Sequence, residues 1–281
     1  MMFARQLGNE LLKMFARKRT YIGFGAFGLL QLVILVMLQM PRPRERFERR
    51  LQQFGGLFEE YFGGLTLGVM MILFSFFTLG VVYIALVAGD IVSKEVEDGT
   101  LRMTLCRPVS RVRVLAVKWV SCQVYTVALI VFLCATALVG ATMWRGGLGK
   151  MFVFYPPEDI RAGFDTAEGI GRFATATGML CVSASVIAGV GFLFSCMKAK
   201  PAAAAILTVS VFFIDAVLRN IPDFEPYERW FLTYHVRSWM LAFEPATPWG
   251  SIAWSWGYLA VVHVVCAAVG MWVFGRRDIK T

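Results

Sequence analysis

Apolar residues in this chain come in long runs, and nearly all the charged residues fall in the gaps between them. The runs cover residues 20–40, 64–89, 114–143, 173–197, 201–218 and 251–274. The first, Thr20 to Met40, would be about 31 Å long as a helix, enough to cross the hydrocarbon core of a bilayer. The pattern predicts an all-α polytopic membrane protein, with six transmembrane helices forming one transmembrane domain over residues 1–281. The first run ends in "MPRPRER", with no small-residue cleavage site, and reads as a retained anchor rather than a secretory signal.

The gaps have patterns of their own. Before the first run, Phe3, Leu7, Leu11 and Phe15 recur every four residues among Arg5, Lys13 and Arg17 to Arg19, which predicts an amphipathic helix lying in the membrane interface. Residues 41–62 are arginine-rich, and Phe47, Leu51, Phe54, Phe58 and Tyr61 keep helical spacing. The segment 145–172, with its glycines and prolines, predicts an ordered loop. Only Lys198 to Lys200 separate the fourth and fifth runs, so these must form an antiparallel hairpin, with Pro201 in the first turn of the fifth. Residues 219–250 mix aromatics, charges and prolines, which predicts short extracellular interfacial helices before span 6. Gly23, Gly25 and Gly28, and the pair Gly64 and Gly68, are small residues that would admit a close helix neighbour.

Composition agrees with this pattern. The chain is 58% hydrophobic and 17% charged, with a mean hydropathy of +0.63, too apolar for the surface of a soluble domain. The net charge of +9 sits beside the apolar runs. It therefore suits anionic membrane lipids or a partner protein, and no nucleic acid is expected. Six spans place both termini on one side, and a slight majority of the 28 lysines and arginines fall there, which predicts cytoplasmic termini. The six cysteines, Cys106, Cys122, Cys134, Cys181, Cys196 and Cys266, form no C-x-x-C pair and read as free thiols, with neither a disulfide framework nor a metal site.

Few residues offer catalytic chemistry. "GGLGKM" at 146–151 lacks the glycine spacing and the hydroxyl of a phosphate-binding loop, so the chain has no ATPase motif and is not expected to be an enzyme. No H-E-x-x-H helix is present, and Asp90 lacks the G-x-G-D context of an intramembrane aspartyl protease. Two ionisable residues lie within predicted spans. Asp215 could reach the interface or pair with Arg219 four residues on, or it could line a substrate path. His263 could hydrogen-bond a neighbouring helix, or it could relay protons.

The densest cluster of charge is "GDIVSKEVEDGTLRMTLCRPVSRVRVLAVK", from Gly89 to Lys118. Ser93 is a candidate cap with Glu95 and Glu97 near the helix start, Gly99 is a breaker, and Thr100 can restart the helix with Leu101 and Leu105 on one face. Pro108 ends this element and Ser110 caps the third span. On physical grounds this is a short amphipathic element at the cytoplasmic mouth, either a solvated loop that fixes topology or a docking surface.

This stretch resembles the cytoplasmic connector of type-2 ABC exporter permeases, E-x-E-x-G-T-L followed by P-[VI]-S-R and a lysine in the next span. Glu95, Glu97, Gly99, Thr100, Leu101, Pro108, Val109, Ser110, Arg111 and Lys118 match that pattern, and the terminal "FGRRDIK" resembles the family's usual ending. The arginine-rich first outer loop departs from the commonest pattern. The resemblance implies that the connector between spans 2 and 3 is a coupling helix. Its docking surface would comprise Glu95, Glu97, Asp98, Gly99, Thr100, Leu101, Arg107, Pro108, Ser110 and Arg111. It further implies a separate ABC ATPase subunit that holds ATP and Mg, no cofactor bound by this chain, and a second permease copy, identical or related. The implied setting is the plasma (inner) membrane, and the implied activity is export of a substrate that these motifs do not specify. A membrane scaffold or accessory subunit that recruits a cytoplasmic partner without transport would share the same features.

Overall fold

In the computed structural model, residues 2–16, 18–38, 40–54, 58–101, 106, 109–155 and 160–276 are described. Helix α1 (Met2–Phe15) leads into α2 (Lys18–Leu38), α3 (Pro41–Phe54) and the single turn α4 (Phe58–Tyr61). Helix α5 (Gly64–Ser75) continues through one wide turn, Phe76–Gly80, into α6 (Val81–Glu97). After the connector come α7 (Arg111–Arg145), a strand pair, α8 (Thr166–Cys196) and α9 (Pro201–Arg219). Three short helical segments then precede the last helix, namely a 3₁₀ stretch at Pro222–Trp230, α10 (Leu232–Val236) and a second 3₁₀ stretch at Arg237–Phe243. The last is α11 (Trp249–Gly275).

Six of these helices are long and apolar enough to cross a membrane, with α5 and α6 counting as one. Several outlast the apolar runs that predict them, since α6 reaches Glu97 and α7 covers 111–145. Hydropathy marks where hydrocarbon would begin, whereas a helix continues until its hydrogen bonding is interrupted. Here the stops are backbone features. Gly99 and Gly146 adopt left-handed conformations at φ +70° and +72°, which close a helix C-terminus without a Cβ clash. Pro201 opens α9 at a position where no N–H is needed.

Two gaps differ from their sequence reading. The segment 145–172 contains an antiparallel pair, β1 (Met151–Tyr155) and β2 (Ile160–Phe164), in the register Met151↔Phe164 to Tyr155↔Ile160. Five consecutive apolar residues, "MFVFY", suit a strand enclosed on both faces. Phe152 is buried against Phe47 of α3 and Tyr61 of α4, and its N–H donates to Thr66 Oγ1 at 2.9 Å. Helix α8 consequently starts at Thr166 rather than near 173. Residues 232–243 fold back into the bundle, so that Trp239 is buried with its ring 6.5 Å from that of Phe76, whereas Pro222–Trp230 has no buried residue. The helix pairs α6·α9, α11·α8, α6·α8, α5·α7 and α7·α8 make up the packed body, with α8 the most enclosed of the six spans.

Gly64 and Gly68 lie at a close helix contact. A Cβ at Gly64 would come 2.9 Å from Thr142 Cα, and one at Gly68 would lie 3.5 Å from Leu138 Cα, both on α7. Gly23 sits under the Tyr83 ring, whereas Gly25 and Gly28 face open space.

Candidate functional site

The connector begins as the continuation of α6. Ser93 lies inside that helix rather than at a start, and its hydroxyl donates to the Gly89 carbonyl one turn back. The α6 end is closed by Asp98 N–H donating to Lys94 O at 2.9 Å and Gly99 N–H to Val96 O at 3.2 Å. Helical backbone resumes at Thr100, whose hydroxyl donates to Glu95 O at 3.4 Å, and Leu101 is buried. Arg107 and Pro108 lie outside the described residues. The Ser110 hydroxyl accepts from Arg113 N–H at 3.3 Å and caps α7. Arg111 is exposed and reaches the Gly275 carbonyl at 3.4 Å, tying the connector exit to the end of α11.

The acids of the motif divide into two groups. Glu97 and Asp98 are about half exposed and share Lys94, at 3.4 and 3.3 Å. Glu95 points the other way, into the bundle. Its carboxylate takes Lys118 Nζ of α7 at 2.7 Å on one oxygen and Lys13 of α1 on the other. Lys118 also reaches Glu10 of α1 at 2.7 Å. Glu95 and Lys118 have only 6% and 3% of their side chains exposed, so the two charges are largely withdrawn from solvent and depend on each other. The quartet Glu10, Lys13, Glu95 and Lys118 joins three helices and sums to zero charge.

Helix α1 meets the bundle with Glu10, Lys13, Met14 and Phe15, whose ring lies 5.9 Å from that of Tyr125, while Leu7 and Leu11 are half-buried and Phe3 is exposed. Glu10 was not legible as a partner, because the sequence distance from Glu10 to Lys118 carries no spacing signal. Arg172 of α8 was missed for the same reason. Its guanidinium donates to Ala242 O and Pro245 O at 2.9 Å and lies 4.0 Å over the Phe164 ring, clamping residues 242–245.

The two intramembrane candidates have separate surroundings. Asp215 accepts from the N–H groups of Leu232 and Thr233 at 3.0 and 2.7 Å, capping α10 from α9. Arg219 donates to Glu228 at 2.8 Å. His263 packs with its ring 5.0 Å from that of Trp119. A Cβ at Gly189 would come 2.7 Å from its Nδ1, so Gly189 makes room for the imidazole. Among the described residues no group of three His, Cys, Asp or Glu is placed to hold a metal ion.

His235 of α10, which the sequence did not single out, is fully enclosed. Its Nε2 faces the Arg229 carbonyl at 2.9 Å and therefore carries the hydrogen, leaving Nδ1 to accept from Ser255 Oγ at 3.0 Å. Tyr258 stacks on the ring at 4.2 Å. Burial holds this imidazole below the usual histidine range and nearby Arg219 adds to that, against the opposing pull of the Arg229 carbonyl and Asp215. The folded protein thus refuses a proton that the unfolded chain accepts. The thermal unfolding midpoint is expected to fall as pH drops from about 7.5 to 5.5, across the ordinary value near 6.5. His235→Asn should flatten that slope; an unchanged slope would assign the acid sensitivity elsewhere.

Six membrane-length helices, with α8 the most enclosed of them and charge gathered at the helix ends, define a polytopic helical membrane protein. Residues 28–280 match the model of a family described as "protein of unknown function (DUF2705)", and the chain belongs to that family. No curated protein matches the sequence.

Proposed function

We propose that this chain is the membrane-spanning permease subunit of an ATP-driven exporter whose ATPase is a separate protein. The observation that carries the reading is the form of the connector. Helix α6 ends in exposed Glu97 and Asp98, turns at a left-handed Gly99, and resumes with Leu101 buried before the capped start of α7. An element pinned from inside by Leu101 and by the buried Glu95, while offering acids outward, can bear on a partner and pass its movement to the spans. A solvated loop that only fixed topology would need neither anchor. Because a partner shifts an equilibrium only through differential contact with its two states, the docking surface must stay engaged throughout the cycle. In this reading the connector and both termini face the cytoplasm, the membrane is the plasma (inner) membrane, and a second permease copy completes the complex.

The test is co-expression of the tagged chain with the ATP-binding-cassette protein encoded nearest to it. The two should purify together in mild detergent, and the permease should change the ATPase rate. Isolation of the chain without any such ATPase, with both proteins folded and abundant, would overturn the permease reading and leave the scaffold alternative.

A further inference from the structure

Toward the end of the bundle opposite the connector lies a cation without an anionic partner among the described residues. Arg237 is half-buried, with its guanidinium carbon 5.5 Å from the centre of the Phe77 ring. Among the described residues it makes no ion pair or hydrogen bond. Phe77 belongs to the wide turn between α5 and α6, near the middle of the apolar run 64–89. The folded-back segment therefore places Arg237 against the outer part of the apolar spans, beside Phe77 and Ala216, instead of out in the loop. A charge there is costly and marks a functional site unless it reaches water.

Two apolar cavities flank Phe77. One of about 240 Å³ lies between α6 and α9, lined by Val82, Val209 and Phe213 with Arg237 itself at its edge. The other, about 480 Å³, lies between α5, α3 and β1, lined by Phe47, Phe74 and Phe154. Both open sideways, since Phe213, Phe74, Phe77 and Val82 are exposed on the flank of the bundle. Further guanidinium groups stand over lining rings, with Arg161 5.8 Å from Phe154 and Arg145 5.1 Å from Phe62.

We propose that Arg237 and the paired cavities form a binding site for an anionic phospholipid entering laterally from the bilayer. The phosphate pairs with Arg237, and one acyl chain occupies each cavity. The lateral openings select a ligand already dissolved in the membrane. Arg237 selects a headgroup of net negative charge over a zwitterionic one. The inference needs only insertion in a membrane and is independent of the ATPase reading.

The experiment measures the lipids retained by the full chain after purification in dodecyl maltoside. Phosphatidylglycerol should be enriched over phosphatidylethanolamine relative to the source membrane. Arg237→Gln should reduce that enrichment about tenfold, the loss of one charge-assisted contact. Arg237→Lys should keep most of it, and Arg49→Gln, on the exposed face of α3, should leave it intact. Val209→Trp, which fills the smaller cavity without touching charge, should reduce it as well and serves if Arg237→Gln fails to fold. Equal enrichment in wild type, Arg237→Gln and Val209→Trp would overturn the site. So would an equal loss in Arg49→Gln, which would mean general surface charge. Loss of a second protein copy in light scattering, with lipid unchanged, would assign the cavities to a subunit interface and also overturn it.

Discussion

Lys118→Met is expected to destabilise the protein by about 3–5 kcal/mol, the usual cost of stranding a buried charge. Lys118 bridges Glu10 and Glu95 from α7, and its side chain is 3% exposed. Removing it leaves Glu95 facing Lys13 alone and Glu10 without its Lys118 contact. The measurement is the thermal unfolding midpoint in detergent, followed by tryptophan fluorescence. The double variant Glu95→Gln with Lys118→Met restores a neutral cluster and should recover most of the loss, giving a coupling above about 1 kcal/mol in a double-mutant cycle. Lys13→Ala, whose side chain is 43% exposed, should cost only about 0–1 kcal/mol, because solvent screens it. If the single and double variants unfold at the same temperature, the quartet is not an interdependent unit.

Glu97→Lys combined with Asp98→Lys should act in the opposite manner. Both acids are exposed and, among the described residues, pair with Lys94, a surface arrangement worth about 0–1 kcal/mol to the fold. The unfolding midpoint should therefore stay within a degree or two of wild type, the shift about 0.5 kcal/mol makes in a chain of this size. Under the permease reading proposed above, the ATPase should dissociate or lose its permease dependence, by about tenfold or more, since reversing a charge at an interface converts attraction into repulsion. Unchanged co-purification and coupled hydrolysis would remove Glu97 and Asp98 from the docking surface. The two experiments separate neighbouring residues of one motif: Glu95 holds the fold, and Glu97 faces outward.

Much of the architecture was legible because a bilayer imposes a simple code. Each span must hold about twenty apolar residues and hydrogen-bond its own backbone, so the six long helices follow from the runs themselves. Ser110 was readable as a cap, and Gly99 as a break, because capping and left-handed turns depend on one or two residues. Helix ends were less legible, since α6 carries its hydrogen bonds to Glu97 through charged residues that hydropathy places outside the span. The β1–β2 pair was missed although "MFVFY" is a fair strand signal, because the glycines and prolines around it outweighed five apolar residues. Ser93 was misread as a cap because a serine inside a helix and one at its start look alike until the preceding turn is known.

The sequence by itself determined the number of spans, the crowding of charge between the second and third, and the break at Gly99 that closes α6. All of these rest on local rules, in which apolar length and nearby residues suffice. Only the tertiary structure decided that Glu95 turns inward to Lys118 while Glu97 stays outside. Only the fold carried Arg237 down to Phe77, and only it enclosed His235 among Arg229, Ser255 and Tyr258. Each of those facts depends on the rotation of one helix against another. That rotation is set by packing across the whole bundle, and residues far apart in the chain leave no spacing from which to read it.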